Sequence, residues 1–309
     1  MHLIVNLNLT MDRTIELSHL VPGTVHRSKS SRLRGGGKGV NVARALKALG
    51  EESTVIGFLG GSTGEVIRQA LDSESINFVP IDIEGNSRTC YIIRELDPSA
   101  ETVINEPGPL INLDEFAELE EVFSNRMRFA DVVILTGSLP PGVPEDTYRR
   151  LIHIAVQGNG VSLLDTTDVA LAHGLAAGPS VVKINVDEAA AATHLELTTS
   201  ELALLACRRL QDLGAKNAMV TRGALGAVAR FDGVSYSATG PNLIRPQAVG
   251  SGDAVLAGIA TGIRRGIKPI DTFRLAVATG TAAAESGIEY LTAESVRNIE
   301  EFLDIKILE

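Results

Sequence analysis

AVGSGDAVLAGIATGI, Ala248 to Ile263, is the stretch on which the reading of this chain turns. A turn-rich segment, TGPNLIRP (Thr239 to Pro246), precedes it, and its small, apolar second half reads as a buried helix. Asp253 stands in the first turn of that helix, where backbone N–H groups lack intrahelical partners and the helix dipole is positive. Gly250, Ser251 and Gly252 leave those amides open to an anion. A carboxylate beside an anion repels it unless it accepts a proton or holds a metal, so the pattern points to phosphoryl transfer. An ordinary glycine-rich turn with Asp253 as a helix cap fits the same string.

The 309 residues, 44% of them hydrophobic, suffice for one large α/β domain or two smaller ones. A formal net charge of −10 argues against wholesale nucleic-acid binding and leaves small-anion recruitment to local basic groups. Cys90 and Cys207 lie far apart without CxxC spacing, which indicates neither a disulfide framework nor a zinc site and suits a reducing cytoplasm. MHLIVNLNLTMDRTIEL carries charge too early for a secretory apolar core, and no run of about 18 apolar residues offers a membrane span.

Working outward, LIVNLN (Leu3 to Asn8) reads as a buried first strand, with Asp12 expected to project from its carboxyl end. Thr14 to Leu33 is short-patterned, broken by Pro22 and Gly23 and basic, so exposed strands are expected there. GGGKGVNVARALKALG, Gly35 to Gly50, is a glycine loop holding Lys38, followed by a helix with Val42, Leu46 and Leu49 at helical spacing. It is not a P-loop, since Gly39 follows Lys38 where Ser or Thr is required, and Val40 breaks the GxGxxG fingerprint. Gly60 to Gly64 matches the GxSxG nucleophile elbow in form, but His153, His173 and His194 lie in segments without marked loop geometry.

SRTCYIIRELDPSAETVINEPG, Ser87 to Gly108, reads as a hairpin around Asp97-Pro98-Ser99, opened by Arg88, which joins the earlier exposed strands in a small second sheet. Such a sheet would act as a lid that excludes water. An acidic helix from Leu113 to Phe129 precedes ADVVILTGSLPPG, a buried strand ending at Thr136, Gly137 and Ser138. VSLLDTT ends in Asp165, and SVVKINVDEAAAAT is a strand leading through Asn185 and Glu188 into a helix. Asn185 and Glu188 suit either a hydrated magnesium ion or a capping box. AMVTRGALGAVARF supplies Thr221, Gly223 and Gly226 as a nucleotide-facing turn between strands. Alternating strands and helices imply a mostly parallel sheet.

Together these segments resemble the ribokinase-like sugar kinases of the phosphofructokinase B family. GGGKGVNVARAL and VGSGDAVLAG resemble its two signatures in order and separation, and LTGSLPPGV, KINVDEA and VTRGALGA resemble further landmarks. Lys in GGKGxN, with TGSLPPG, NEPGP and VGSGD, is similar to the branch acting on sugar phosphates, 1-phosphofructokinases and tagatose-6-phosphate kinases. The resemblance implies a single three-layer α/β/α domain over residues 1–309, with a discontinuous β lid at about 13–35 and 87–107.

It further implies ATP- and magnesium-dependent phosphorylation of a ketohexose monophosphate to a bisphosphate. Asp253 would be the catalytic base, with the amides of Gly250, Ser251 and Gly252 as the anion hole. Asp12 and Asn41 would hold sugar hydroxyls, with Gly36 and Gly37 letting the sugar lie close. Lys38, Arg88, Ser138 and the lid's Arg27, from the same or a partner subunit, would meet the substrate and its phosphate. Lys183, Asn185, Thr221, Gly223 and Gly226 would face the nucleotide, with Asn185 and Glu188 serving magnesium. A cytoplasmic homodimer paired through the lid, without nucleic-acid or membrane partners, is expected. Departures from the family are Leu9, Thr10 and Met11 before Asp12, Ile184 before Asn185, and Arg222 in the nucleotide turn. A tagatose-6-phosphate kinase is the first alternative, and a free-sugar or nucleoside kinase or a non-catalytic sugar-phosphate sensor the second.

Overall fold

A computed structural model describes residues 1–96, 99–244, 246–247 and 249–308. The turn read at Asp97 and Pro98 lies outside the described residues. In chain order the strands are β1 (His2–Val5), β2 (Thr10–Leu17), β3 (Ser30–Gly36), β4 (Ser53–Leu59), β5 (Asn77–Asp82), β6 (Arg88–Leu96), β7 (Ser99–Asn105), β8 (Val132–Thr136), β9 (Val161–Asp165), β10 (Val181–Asn185), β11 (Asn217–Thr221), β12 (Ala227–Phe231), β13 (Val234–Thr239) and β14 (Asp304–Leu308). The helices are α1 (Lys38–Ala48), α2 (Gly61–Ser73), α3 (Leu113–Met127), α4 (Thr147–Gln157), α5 (Asp168–Ala176), α6 (Val186–Thr193), α7 (Ser200–Asp212), α8 (Ser251–Arg264), α9 (Pro269–Ser286) and α10 (Ala293–Glu300).

Ten strands form the main sheet in the order β14-β13-β12-β11-β10-β9-β8-β1-β4-β5. It is parallel from β5 to β11 and antiparallel from β11 to β14. Neighbouring residues along its strands feed opposite cores, as the pleat requires. Ile4, Ile134, Leu163, Val181 and Met219 pack with α1, α8 and α9 on one face. Leu3, Val5, Val133, Leu135, Leu164, Val182 and Val220 pack with α3, α4 and α7 on the other. Strands buried on both faces need near-continuous apolar runs, which explains VVILT and LIV. The result is a three-layer α/β/α sandwich, as the sequence predicts.

A second sheet, in the order β3-β2-β6-β7, has β2 and β6 parallel and its outer pairs antiparallel. One expectation changes here. The first strand ends at Val5, and Asp12 belongs to β2 of the small sheet instead of the end of β1. The closing hairpin strand β13 and the C-terminal edge strand β14 went unread; DIKIL is too short and too charged to signal a strand by pattern alone.

α8 and α9 lie closest together where glycine allows it. A β-carbon on Gly258 would fall 2.6 Å from the Ala276 Cα, so the small residues of this stretch serve helix packing as well as burial.

Candidate active site

In open α/β sheets ligands sit in crevices beyond the carboxyl ends of the parallel strands. A cleft of about 630 Å³ lies there, lined by Asn6 and Asn8 after β1, Ser138 after β8, Thr166 after β9, Asn185 at the end of β10 and Thr221 at the end of β11. The small sheet supplies the opposite wall through Asp12, Arg88, Cys90 and Asn105. Beside it an apolar cavity of about 310 Å³ is lined by Leu243, Val255, Val277 and Ala284, and both spaces share Thr221, Gly223, Ser251 and Gly252.

Each wall is fixed locally. The side-chain oxygen of Asn6 accepts from the Gly39 N–H at 2.7 Å and so anchors the start of α1. Buried Tyr148 donates to the Gly137 carbonyl at 2.9 Å, and Thr166 donates to the same oxygen at 2.9 Å, which sets the turn carrying Ser138. A β-carbon at Gly36 would overlap the Asp12 carboxylate, and one at Gly37 would lie 2.6 Å from the Asn6 side-chain oxygen. The missing side chains at these two positions make room for the protein's own polar groups.

Asp253 lies in the first turn of α8, whose N-cap Gly250 has φ of 85°. Asp253 is buried and accepts a hydrogen bond from Asn41 Nδ2 at 2.9 Å. Burial pushes its carboxyl up to about 6, against the opposing pull of Lys38. Asp12 is likewise pushed up to about 6 by burial, although Arg44, Arg34 and Arg88 oppose the change. Two carboxyl groups in one cleft thus titrate near the pH at which proton acceptors work best.

Asp165 is fully buried and carries the cations of the floor. Lys38 Nζ is 3.0 Å from its Oδ1 and Lys183 Nζ 2.9 Å from its Oδ2. Burial raises the Asp165 pKa, but Lys183 and Lys38 outweigh it and hold this carboxyl below its ordinary range. Lys38 is held well above its ordinary value: burial lowers it, while Asp165, Asp253 and Glu188 prevail. Lys183 Nζ lies 3.0 Å from the place of a β-carbon on Gly252, beside the α8 N-terminus.

Of the residues expected at the site, Asp12, Gly37, Lys38, Asn41, Arg88, Ser138, Lys183, Asn185, Glu188, Thr221, Gly223 and Gly250 to Asp253 line this one cleft. Gly226 lines the adjoining cavity. Gly36 does not face the cleft, and Arg27 stands exposed between β2 and β3, away from its lining. Lys38 does not stand free beside Arg88 as a pair of phosphate holders would; it is drawn to Asp165 and, at 3.5 Å, to Glu188.

Asn185 and Glu188 form the capping box: Glu188 N–H donates to Asn185 Oδ1 at 2.9 Å and Asn185 N–H to Glu188 Oε2 at 2.8 Å. Among the departures, Arg222 donates to Ser200 Oγ at 2.7 Å, toward the start of α7, and Ile184 is wholly buried. Neither alters a polar group of the cleft. Ser62 of the apparent nucleophile elbow lies exposed in α2, with no histidine bonded to it among the described residues. Asp165, Asn6 and Asn8 had been given no role from sequence; the available signal was a lone polar residue closing an apolar strand.

Comparison with known proteins agrees with this geometry. Residues 1–290 match the pfkB family carbohydrate kinase profile. A 1-phosphofructokinase of Bacillus subtilis is 32% identical over 282 residues, covering 91% of this chain and 92% of the relative. A tagatose-6-phosphate kinase of Staphylococcus epidermidis is 31% identical, covering 85% of each chain. A crystal structure of phosphofructokinase-2 from Escherichia coli, in complex with substrates and products, superposes with a TM-score of 0.91 at 26% identity over 97% of this chain and 98% of that one. The fold is that of a carbohydrate kinase. The chain belongs to the pfkB family of carbohydrate kinases.

Proposed function

We propose that the protein transfers the γ-phosphoryl group of ATP to a hydroxyl of a ketohexose monophosphate, giving a bisphosphate and ADP in the manner of a 1-phosphofructokinase. The observation that carries this reading is the buried Asp253 carboxyl, raised to about 6, at the amide-rich start of α8 in a cleft that also holds Arg88 and Ser138. Arg88 is steadied by carbonyl oxygens, Asn8 O at 3.3 Å and Glu106 O at 3.2 Å, and no carboxylate lies within ion-pair distance of it among the described residues. Its charge is thereby kept for a ligand anion.

In the transfer the substrate oxygen bonds to the γ-phosphorus as the bond to the β,γ-bridging oxygen breaks, and the hydroxyl proton passes to Asp253. The transition state is loose, so the hydroxyl becomes acidic only as its bond to phosphorus forms, and a positioned carboxylate suffices. The amides of Gly250, Ser251 and Gly252 stabilise the transferring oxygens, together with Lys183 beside Gly252. Lys38, next to Lys183 on Asp165, serves the same end of the cleft. Asp12 and Asn41 hold the sugar, and Arg88 with Ser138 holds its phosphate. Thr221, Gly223 and Gly226 border the apolar cavity that takes the nucleotide.

Asn185 and Glu188 would hold magnesium through water: Asn185 Oδ1, which accepts the Glu188 N–H, keeps a second lone pair, and Glu188 Oε1 is not used by the cap and lies 3.5 Å from Lys38. When bound, the ion neutralises charge on the phosphate oxygens. The whole chain acts as one domain in which the small sheet is a lid. Pairing of two lids in a homodimer covers the exposed Leu33 and Ile104, which share one face of the small sheet, and gives Arg27 a neighbouring cleft to reach. The cytoplasm, with its sugar phosphates, suits this activity, and no described helix is long and apolar enough to cross a membrane.

The test is ADP release with fructose 1-phosphate, fructose 6-phosphate, tagatose 6-phosphate, free fructose and a nucleoside. One phosphorylated ketose should exceed free fructose in kcat/KM by more than about a hundredfold, the worth of one or two charge-assisted hydrogen bonds. Equal rates with free fructose, or turnover of a nucleoside alone, would overturn the proposal.

A further inference from the structure

Asn8 is 6% exposed, lines the cleft, and touches both groups proposed above to hold the substrate's phosphate. Its Nδ2 donates to Ser138 Oγ at 3.0 Å, and its main-chain carbonyl accepts from Arg88 Nε at 3.3 Å. Its Oδ1 is buried without a hydrogen-bond partner among the described residues, a condition that costs free energy. The fold makes space for this arrangement: a β-carbon on Gly108 would fall 2.4 Å from that oxygen.

We infer that Asn8 is the positioning and specificity residue of the phosphate subsite, a reading that rests on the phosphorylated-sugar proposal. An amide N–H directed into Ser138 Oγ occupies a lone pair of that oxygen, so the hydroxyl hydrogen is left to point elsewhere, toward the cleft. Ser138 is thus fixed as a donor, which an anionic phosphate requires. The carbonyl of the same residue holds the Arg88 guanidinium alongside it.

The experiment measures kcat and KM for Asn8→Asp, Asn8→Ala, Ser138→Ala and the Asn8→Ala/Ser138→Ala double variant. The substrates are the preferred ketohexose monophosphate and free fructose. Asn8→Asp turns the Ser138 hydroxyl inward and sets a carboxylate beside the phosphate. KM for the phosphorylated sugar should rise about a hundredfold with kcat within threefold, as expected for a lost charge-assisted donor plus repulsion. Free fructose should change less than threefold. Asn8→Ala should cost about tenfold in KM, and the double variant should be no worse than Ser138→Ala alone, because one acts through the other. Additive losses in the double variant, or equal losses with both sugars, would overturn the inference while the substrate class stands. Wild-type protein that does not prefer the phosphorylated sugar would overturn the substrate class and the inference with it. Should Asn8→Asp fail to fold, the alanine cycle decides.

Discussion

The two ends of α8 each hold a buried carboxylate, Glu51 at the C-terminal end and Asp253 at the start, exposed to nearly the same small extent, 7% and 6%. Their partners differ. Glu51 meets Arg264 Nη1 at 2.8 Å, Arg265 Nε at 2.8 Å and His2 Nε2 at 3.2 Å. Burial pushes Glu51 up, but Arg265, His2 and Arg264 together hold it below the ordinary carboxylate range. Asp253 accepts from Asn41 alone among the hydrogen bonds assigned to its side chain and rises to about 6. Similar exposure therefore goes with opposite proton affinities: Asp253 lies deeper beneath the surface, and Glu51 has direct cationic contacts that Asp253 lacks. The saturated carboxylate ties α8 to the α1–β4 turn; the unsaturated one is ready to take a proton.

Asp165, paired with two lysines, sharpens the contrast. Asp165→Asn leaves Lys183, whose side chain is 4% exposed, with its charge buried and unmatched. Stability in denaturant should fall by about 3–5 kcal/mol, the cost of breaking a buried pair. An unchanged midpoint would show that the lysines do not depend on it.

Asp253→Asn should lower kcat by at least about a hundredfold with nucleotide Kd within threefold, measured by steady-state kinetics and calorimetry. Near-normal turnover would give the proton to another group. Glu51→Gln should do the reverse, costing about 2 kcal/mol of stability, less than a wholly buried pair because both arginines reach solvent, while kcat stays within twofold. A large fall in kcat there would erase the distinction between the two helix ends.

Much of the fold was legible, because strands buried on both faces must be continuously apolar and their helices must carry an apolar stripe. Hence β1, β8 and β10 and the helices after Lys38 and Gly250 could be read locally. The edge strands β13 and β14 could not, since their pairing is made by distant segments and leaves only weak alternation. At the site, glycine loops advertised the anion hole and Asp253. The Lys38–Asp165–Lys183 cluster did not show, as it joins a helix start, a strand end and a strand interior 127 and 18 residues apart. Asn185 and Glu188 fit two readings at one spacing, and only the reciprocal bonds reveal the cap. Asn8 looked like the end of a strand because the chain leaves β1 at Val5, a boundary that hydrophobicity does not mark.

The central claim is that Asp253 accepts the proton, and the pH dependence of kcat/KM in wild-type protein and Asp253→Asn tests it most directly. A carboxylate raised to about 6 is ionised above that pH and lost as a base below it, and Asp12 titrates in the same range. The wild-type acid limb should therefore fall through about pH 6 with a slope approaching two, and the residual rate of Asp253→Asn with a slope of one. An acid limb of the same position and slope in both proteins would contradict the account.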